Sequence, residues 1–307
     1  MIVNKPNINL FIVGAAKAGT TSLYHYLSQH SQVFFPLVKE PNYYSRAEAH
    51  NSQAYENPSE GKFYHNKIIR SEKVYYSLFK NSKKFKIVGD ASPSYLWDPL
   101  SAQRIYKDFP NAKIIILLRN PTDRAYSHFL MDLKSGNQKE PDFQKALYND
   151  KKSKSNTWGR AHLYEDLGLY YKQVKNYMTV FSKDQIKIVL YEDVFKNTKN
   201  TLSDILTFLN LDIKELDSID FSTKHNPYLK PRNKLLNQIL KFKNNLAPLK
   251  RIAPDYIKKL LTDKILYEHG EKPKIPQESY LYLNEVFKED IIKLEKLLNI
   301  DLSAWKD

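Results

Sequence analysis

Two kinds of apolar pattern alternate along this chain. Asn9 to Val13 (NLFIV) and Lys113 to Leu118 (KIIILL) are apolar at nearly every position, the mark of strands covered on both faces. Shorter runs predict further strands at Val33–Phe35, Phe85–Val88 and Ile186–Tyr191. Between them the period changes. Leu23, Tyr26 and Leu27 fall at helical spacing within Ser22–Leu27, and Asn120-Pro121 opens a helix predicted to reach Lys134, with Pro121 suited to the first helical position. Near the end, Leu283, Phe287, Ile291, Leu294 and Leu298 recur every three or four residues, one face of an amphipathic helix. Trp305 then closes the chain as a packed residue. Buried strands separated by helices predict an α/β fold, a parallel sheet flanked by helices. One domain is expected over 1–307, with a helical C-terminal cover from about residue 230. His50–Gly61 reads as a surface loop, and the charged segment Asn149–Asn156 as the neighbourhood of a substrate-side lid.

Composition narrows the function classes. The 307 residues are 42% apolar and 27% charged, as in a folded globular protein. The absence of cysteine excludes a disulfide framework, a thiolate metal site and a cysteine nucleophile. No apolar run approaches the roughly 20 residues that span a bilayer, and Met1–Leu10 carries no signal-peptide pattern. A cytoplasmic protein is therefore expected. Lysine and arginine outnumber acidic residues 48 to 34, a net charge of +14, which favours an anionic partner. Arginine, whose bidentate fork nucleic-acid readers use, is scarce beside lysine, so no nucleic-acid partner is expected. Only eight glycines are present, so a loop that uses two of them has a reason.

That loop follows the first strand directly: Gly14-Ala15-Ala16-Lys17-Ala18-Gly19-Thr20-Thr21-Ser22. A glycine loop between strand and helix offers backbone N–H groups and a helix N-terminus to an anion. Four residues separate the glycines, as in the Walker A loop, but Thr20 stands where that motif has lysine, and the lysine lies inside the loop at position 17. This arrangement suits a shorter anionic group and supplies no obvious metal ligand. The bland alternative is a simple glycine turn. A second anion site is suggested by Arg119 and Ser127 in RNPTDRAYSHF, after the second buried strand; Arg119 offers a planar charged fork and Ser127 a hydroxyl near the helix start. Arg124 is an alternative to Arg119.

The loop resembles the 5′-phosphosulfate loop of the sulfotransferases that use PAPS (3′-phosphoadenosine 5′-phosphosulfate). The resemblance implies a P-loop-like fold, PAPS as sulfuryl donor and no required metal. It implies contacts to the donor from Ala16, Lys17, Ala18, Gly19, Thr20, Thr21 and Ser22, with Arg119 and Ser127 at the 3′-phosphate. Lys39-Glu40-Pro41-Asn42-Tyr43-Tyr44 resembles the Lys-Glu-Pro-His-Phe/Tyr-Phe segment of heparan sulfate and related glycan sulfotransferases, which implies Glu40 as catalytic base and a carbohydrate-containing acceptor. Two positions depart from that pattern. Asn42 replaces its histidine, and Ala91 in Gly89–Tyr95 replaces the lysine of a Glu-Lys-Ser-Pro-x-Tyr stretch. Sulfotransferases of phenols and steroids use a histidine base, for which His128 and His225 are candidates. Lys224 and Arg232, in a basic proline-kinked stretch, stand where the family closes a basic loop over the nucleotide. Tyr191-Glu192-Asp193 reads as structural. Direct in-line sulfuryl transfer from PAPS to a hydroxyl or amine, with Lys17 stabilising the leaving phosphate, is the leading expectation. The alternatives are a P-loop kinase using ATP and magnesium, and a non-catalytic nucleotide- or polyanion-binding protein.

Overall fold

The computed structural model describes residues 5–45, 69–153, 158, 161–222, 229–231 and 267–306. Strand β1 (Leu10–Gly14) leads through the glycine loop into helix α1 (Thr20–Leu27) and strand β2 (Val33–Phe34). Helix α2 (Glu72–Ser77), strand β3 (Ile87–Ala91) and helices α3 (Ser94–Trp97) and α4 (Ser101–Asp108) follow. Strand β4 (Lys113–Leu118) precedes α5 (Pro121–Ser135), α6 (Phe143–Lys151) and α7 (Tyr170–Val180). Strand β5 (Ile186–Leu190) runs straight into α8 (Tyr191–Lys196) and α9 (Thr198–Phe208). The described C-terminal part holds β6 (Leu229–Pro231), β7 (Tyr267–His269) and α10 (Gln277–Leu298).

The five strands form a sheet in the order β2-β3-β1-β4-β5, parallel throughout. Leu10 to Val13 and Ile114 to Leu118 are fully buried at its centre, as their unbroken apolar runs require. From β1 the chain moves out to β2 and returns through β3, then crosses to β4 on the other side. Ligands of such sheets bind beyond the carboxyl ends of the strands where the order reverses. Here that place lies beyond Gly14 and Leu118.

Several boundaries differ from the sequence reading. β3 lies later than Phe85–Val88 and includes Gly89 and Asp90, residues that hide a strand from an apolar-run criterion. Gly89 is needed because a Cβ there would overlap the Phe35 ring. Asp90 is tolerated because Tyr75, Tyr95 and Ser92 donate to its carboxylate at 2.7–2.8 Å. β5 stops at Leu190, and Tyr191 begins a helix. The α5 boundaries follow sequence chemistry: the Asn120 side chain caps the N–H groups of Thr122 and Asp123, and Gly136 ends the helix at φ 80°. Leu283, Phe287, Ile291 and Leu294 form the buried face of α10, which packs on α7 and α5, and Trp305 is buried. The C-terminal cover is not wholly helical, since β6 and β7 pair antiparallel. Among the described residues no helix is long and apolar enough to cross a membrane. The loop expected at His50–Gly61, most of the lid segment's end, and the candidates Lys224, His225 and Arg232 lie outside the described residues.

Candidate active site

The glycine loop is built by close packing at both ends. A Cβ on Gly14 would lie 2.5 Å from Leu96 Cβ, so β1 can meet α3 only through glycine. The Ala15 N–H donates to Leu117 O at 2.6 Å and the Ala18 N–H to Ala15 O at 3.1 Å, which curls the loop against the end of β4. Lys17 and Gly19 take left-handed φ values of 67° and 92°. Gly19 stands at the N-cap of α1 with no side chain to cap it, leaving the first helical N–H groups for an anion. Ala18, Thr20 and Ser22 are buried, and Thr21 is half-buried. Ala16 packs against a small cluster of Trp158, Ala161, Leu163 and Leu167, and these side chains border the loop.

Positive charge converges on this loop from three parts of the chain. Burial pushes the Lys17 ammonium below its ordinary 10.5; Asp132 opposes the shift, Arg119 adds to it, Glu40 opposes it and Lys39 adds to it. The Lys17 Nζ also reaches α5, 3.4 Å from Met131 Sδ. Arg119, just past β4, donates from Nη1 to Lys17 O at 3.3 Å, and its guanidinium carbon lies 4.2 Å from the Tyr191 ring centroid. Its Nε is buried without a protein partner among the described residues, a donor that an anion would satisfy. Ser127 lies on the second turn of α5 and is half-buried. Arg124 is fully buried and donates from Nη2 to Tyr164 O, while its Nε and Nη1, like Arg119 Nε, have no protein partner among the described residues.

The third cation was missed by the sequence reading. Lys272 is lowered to about 8, chiefly by burial and then by Arg119, with Asp123 opposing and Lys17 adding to the shift. Its Nζ lies 5.1 Å from the Tyr126 ring centroid. The signal was present in Glu271-Lys272-Pro273-Lys274, a basic pair stiffened by proline immediately ahead of α10. Tyr191, read as structural, packs beside the loop. A Cβ on Gly19 would lie 3.2 Å from Phe195 and 3.4 Å from Tyr191, and these two rings pack with centroids 4.4 Å apart. Phe195 is 45% exposed, so the pair presents an aromatic surface beside the loop.

The charge of Glu40 also reaches Lys17. This residue has a φ of 59°, pairs with Lys39, and its charge bears on Asp90 too. Tyr43 stacks on Tyr75 at 4.4 Å and anchors the segment's far end. Asn42 and Ala91, the two departures from the glycan-enzyme pattern, are both buried at 3% exposure and line no open surface. His128 is buried, its pKa pushed down to about 3 chiefly by burial, although Asp132 opposes the shift. An imidazole so placed is a poor proton acceptor at neutral pH. Asp132 instead organises a buried network: His162 Nδ1 lies 2.7 Å from its Oδ2, Tyr164 OH donates to it at 3.2 Å, and His128 Nε2 lies 3.4 Å away. Neither Asp132 nor His162 was singled out from the sequence.

Residues 9–215, which hold the whole five-stranded sheet, both phosphate motifs and Glu40, match the model of the sulfotransferase family. Human carbohydrate sulfotransferase 15 is 27% identical over 246 residues, which cover 66% of this chain and 44% of that protein. Mouse heparan sulfate glucosamine 3-O-sulfotransferase 6 is 25% identical over 201 residues, 65% of this chain and 51% of that protein. The chain thus spans about half the length, or less, of these curated relatives. A sulfotransferase from Alicyclobacillus acidocaldarius superposes with a TM-score of 0.73 at 28% identity over 99% of both chains. Mouse SULT7A1, solved with PAP (3′-phosphoadenosine 5′-phosphate), shares the fold with a TM-score of 0.51 at 15% identity over 94% of this chain and 85% of its own. With the family model covering more than half of its length, the chain belongs to the sulfotransferase family.

Proposed function

We propose that this protein transfers the sulfuryl group of PAPS directly to a hydroxyl or amine of a carbohydrate-containing acceptor. The observation that carries the reading is the meeting of Lys17 and Arg119 at the carboxyl ends of β1 and β4, with a buried Arg119 Nε that has no protein partner among the described residues. Two charged ligand groups fit this arrangement. The loop N–H groups and Lys17 would hold the 5′-phosphosulfate, while Arg119, Ser127 and Lys272 would hold the 3′-phosphate. The Tyr191–Phe195 surface suits a stacked purine. The glycan sulfotransferases among the relatives and the Lys39-Glu40-Pro41 segment support a glycan acceptor.

The roles follow from charge and position. Glu40 accepts the proton of the attacking hydroxyl or amine, whose lone pair forms the new bond to sulfur. The bond from sulfur to the 5′-phosphate oxygen breaks with its electron pair moving to that oxygen. Lys17 lies where its ammonium counters this developing charge, and burial strengthens its effect. The test is transfer of labelled sulfate from PAPS to a panel of glycans. Glu40→Gln should lower kcat by about 10²–10⁴-fold while PAP affinity stays within about threefold. Wild-type turnover in that variant would show that the base lies elsewhere.

A further inference from the structure

Glu40 sits in a backbone conformation that glutamate rarely adopts. Its φ is 59°, and Asn42, on the other side of Pro41, has a φ of 55°. Asparagine tolerates this left-handed region through its short polar side chain, whereas a long side chain stays there only when its surroundings impose it. The Glu40 carboxylate imposes nothing, since it pairs with its neighbour Lys39 and its side chain is 37% exposed. The constraint comes from beneath. Asn42 Nδ2 donates to the Glu40 carbonyl oxygen at 2.7 Å. A carbonyl only accepts, so this contact fixes which way the amide faces.

The other end of Asn42 is tied to the sheet. Ser94 Oγ donates to Asn42 Oδ1 at 2.6 Å and lies 2.8 Å from Ser45 Oγ, which donates to Asn42 O at 3.0 Å. The Asn42 N–H donates to Ser92 Oγ at 3.1 Å, and Ser92 donates in turn to Asp90 Oδ1 on β3 at 2.7 Å. Asn42, Ser45, Asp90, Ser92 and Ser94 are all buried. Hydrogen bonds from β3 therefore hold the Asn42 backbone, Ser94 at the start of α3 holds its side-chain oxygen, and the same side chain's Nδ2 reaches the backbone of Glu40.

We infer that Asn42 is the positioning residue for Glu40: its side-chain amide holds the Glu40 backbone so that the carboxylate projects beside Lys17. The inference rests on the reading of Glu40 as proton acceptor. It also assigns the Asn42 departure a role within the protein. The side chain is turned inward to Ser94 and the Glu40 carbonyl, so it selects no acceptor.

The experiment is a double-mutant cycle in the labelled-sulfate assay, with PAP affinity and thermal midpoint measured for each protein. Asn42→Asp preserves shape and the acceptor for Ser94 but sets an oxygen against the Glu40 carbonyl. Asn42→Ala removes both bonds, and Ser94→Ala removes only the outer one. Asn42→Asp and Asn42→Ala should lower kcat by about 10- to 100-fold with PAP affinity within about twofold, and Ser94→Ala should lower it less. In the Glu40→Gln background, Asn42→Ala should change the residual rate by less than about twofold, because both changes act on one step. Equal losses in both backgrounds, or wild-type kcat in Asn42→Asp, would overturn the inference. Wild-type kcat in Glu40→Gln alone would instead overturn the reading of Glu40 as base. If Asn42→Ala fails to bind PAP, Asn42→Asp and Ser94→Ala carry the comparison.

Discussion

Lys272 holds the charge that a modest change of pH removes. Burial, reinforced by Arg119, brings it to about 8, and a bound phosphate would favour its protonated form. PAP affinity should therefore be steady below that pH and weaken as pH rises through it, by up to about tenfold per unit. Lys272→Arg, with a guanidinium that stays charged, should flatten this limb in calorimetric titrations between about pH 7 and pH 9. An unchanged pH profile in that variant would remove Lys272 from the phosphate site. At this scale the sequence was informative where a motif fixes the neighbours. Lys17 sits between two glycines after a buried strand, and Arg119 follows another. Lys272 is brought to them only by tertiary packing, and the contact of the buried Asp132 with His162 likewise joins α5 to a distant segment. Neither contact has a local signature.

Elements were legible where local chemistry and burial agree. Asn120, Pro121 and Gly136 mark both ends of α5, and unbroken apolar runs mark β1 and β4. β3 was misplaced because tertiary partners, the Phe35 ring and three donated hydrogen bonds, license glycine and aspartate inside it. The junction of β1 with the loop depends on similar close contact. Gly14→Ala would bring Cβ within 2.5 Å of Leu96 Cβ, an atom fixed to the backbone that cannot rotate away. This variant should lose about 1–3 kcal/mol of stability and bind PAP more weakly, since the loop must shift with the strand. Urea unfolding and calorimetry check both effects, and a wild-type result in each would mean that β1 and α3 can separate without disturbing the loop.

Across the molecule, the sheet order decides where chemistry can occur. The reversal of strand order between β1 and β4 opens the place where the loop, Arg119 and the start of α5 meet, and the charge of Glu40, after β2, reaches Lys17 there. The fold class was readable because buried parallel strands leave a strong pattern. The β6–β7 pair was not, since three-residue strands are too short to establish a period. The net charge of +14 pointed to an anion without naming it, and the proposed reading assigns Lys17, Arg119 and Lys272 to a ligand with two charged ends. Calorimetric titration with PAP and with magnesium ATP, in the wild type and in Arg119→Ala, tests that claim most directly. PAP should bind the wild type more tightly than ATP does, and Arg119→Ala should weaken PAP by at least about tenfold. Preference for ATP, or PAP binding indifferent to Arg119, would contradict a site built for a nucleotide with a 3′-phosphate.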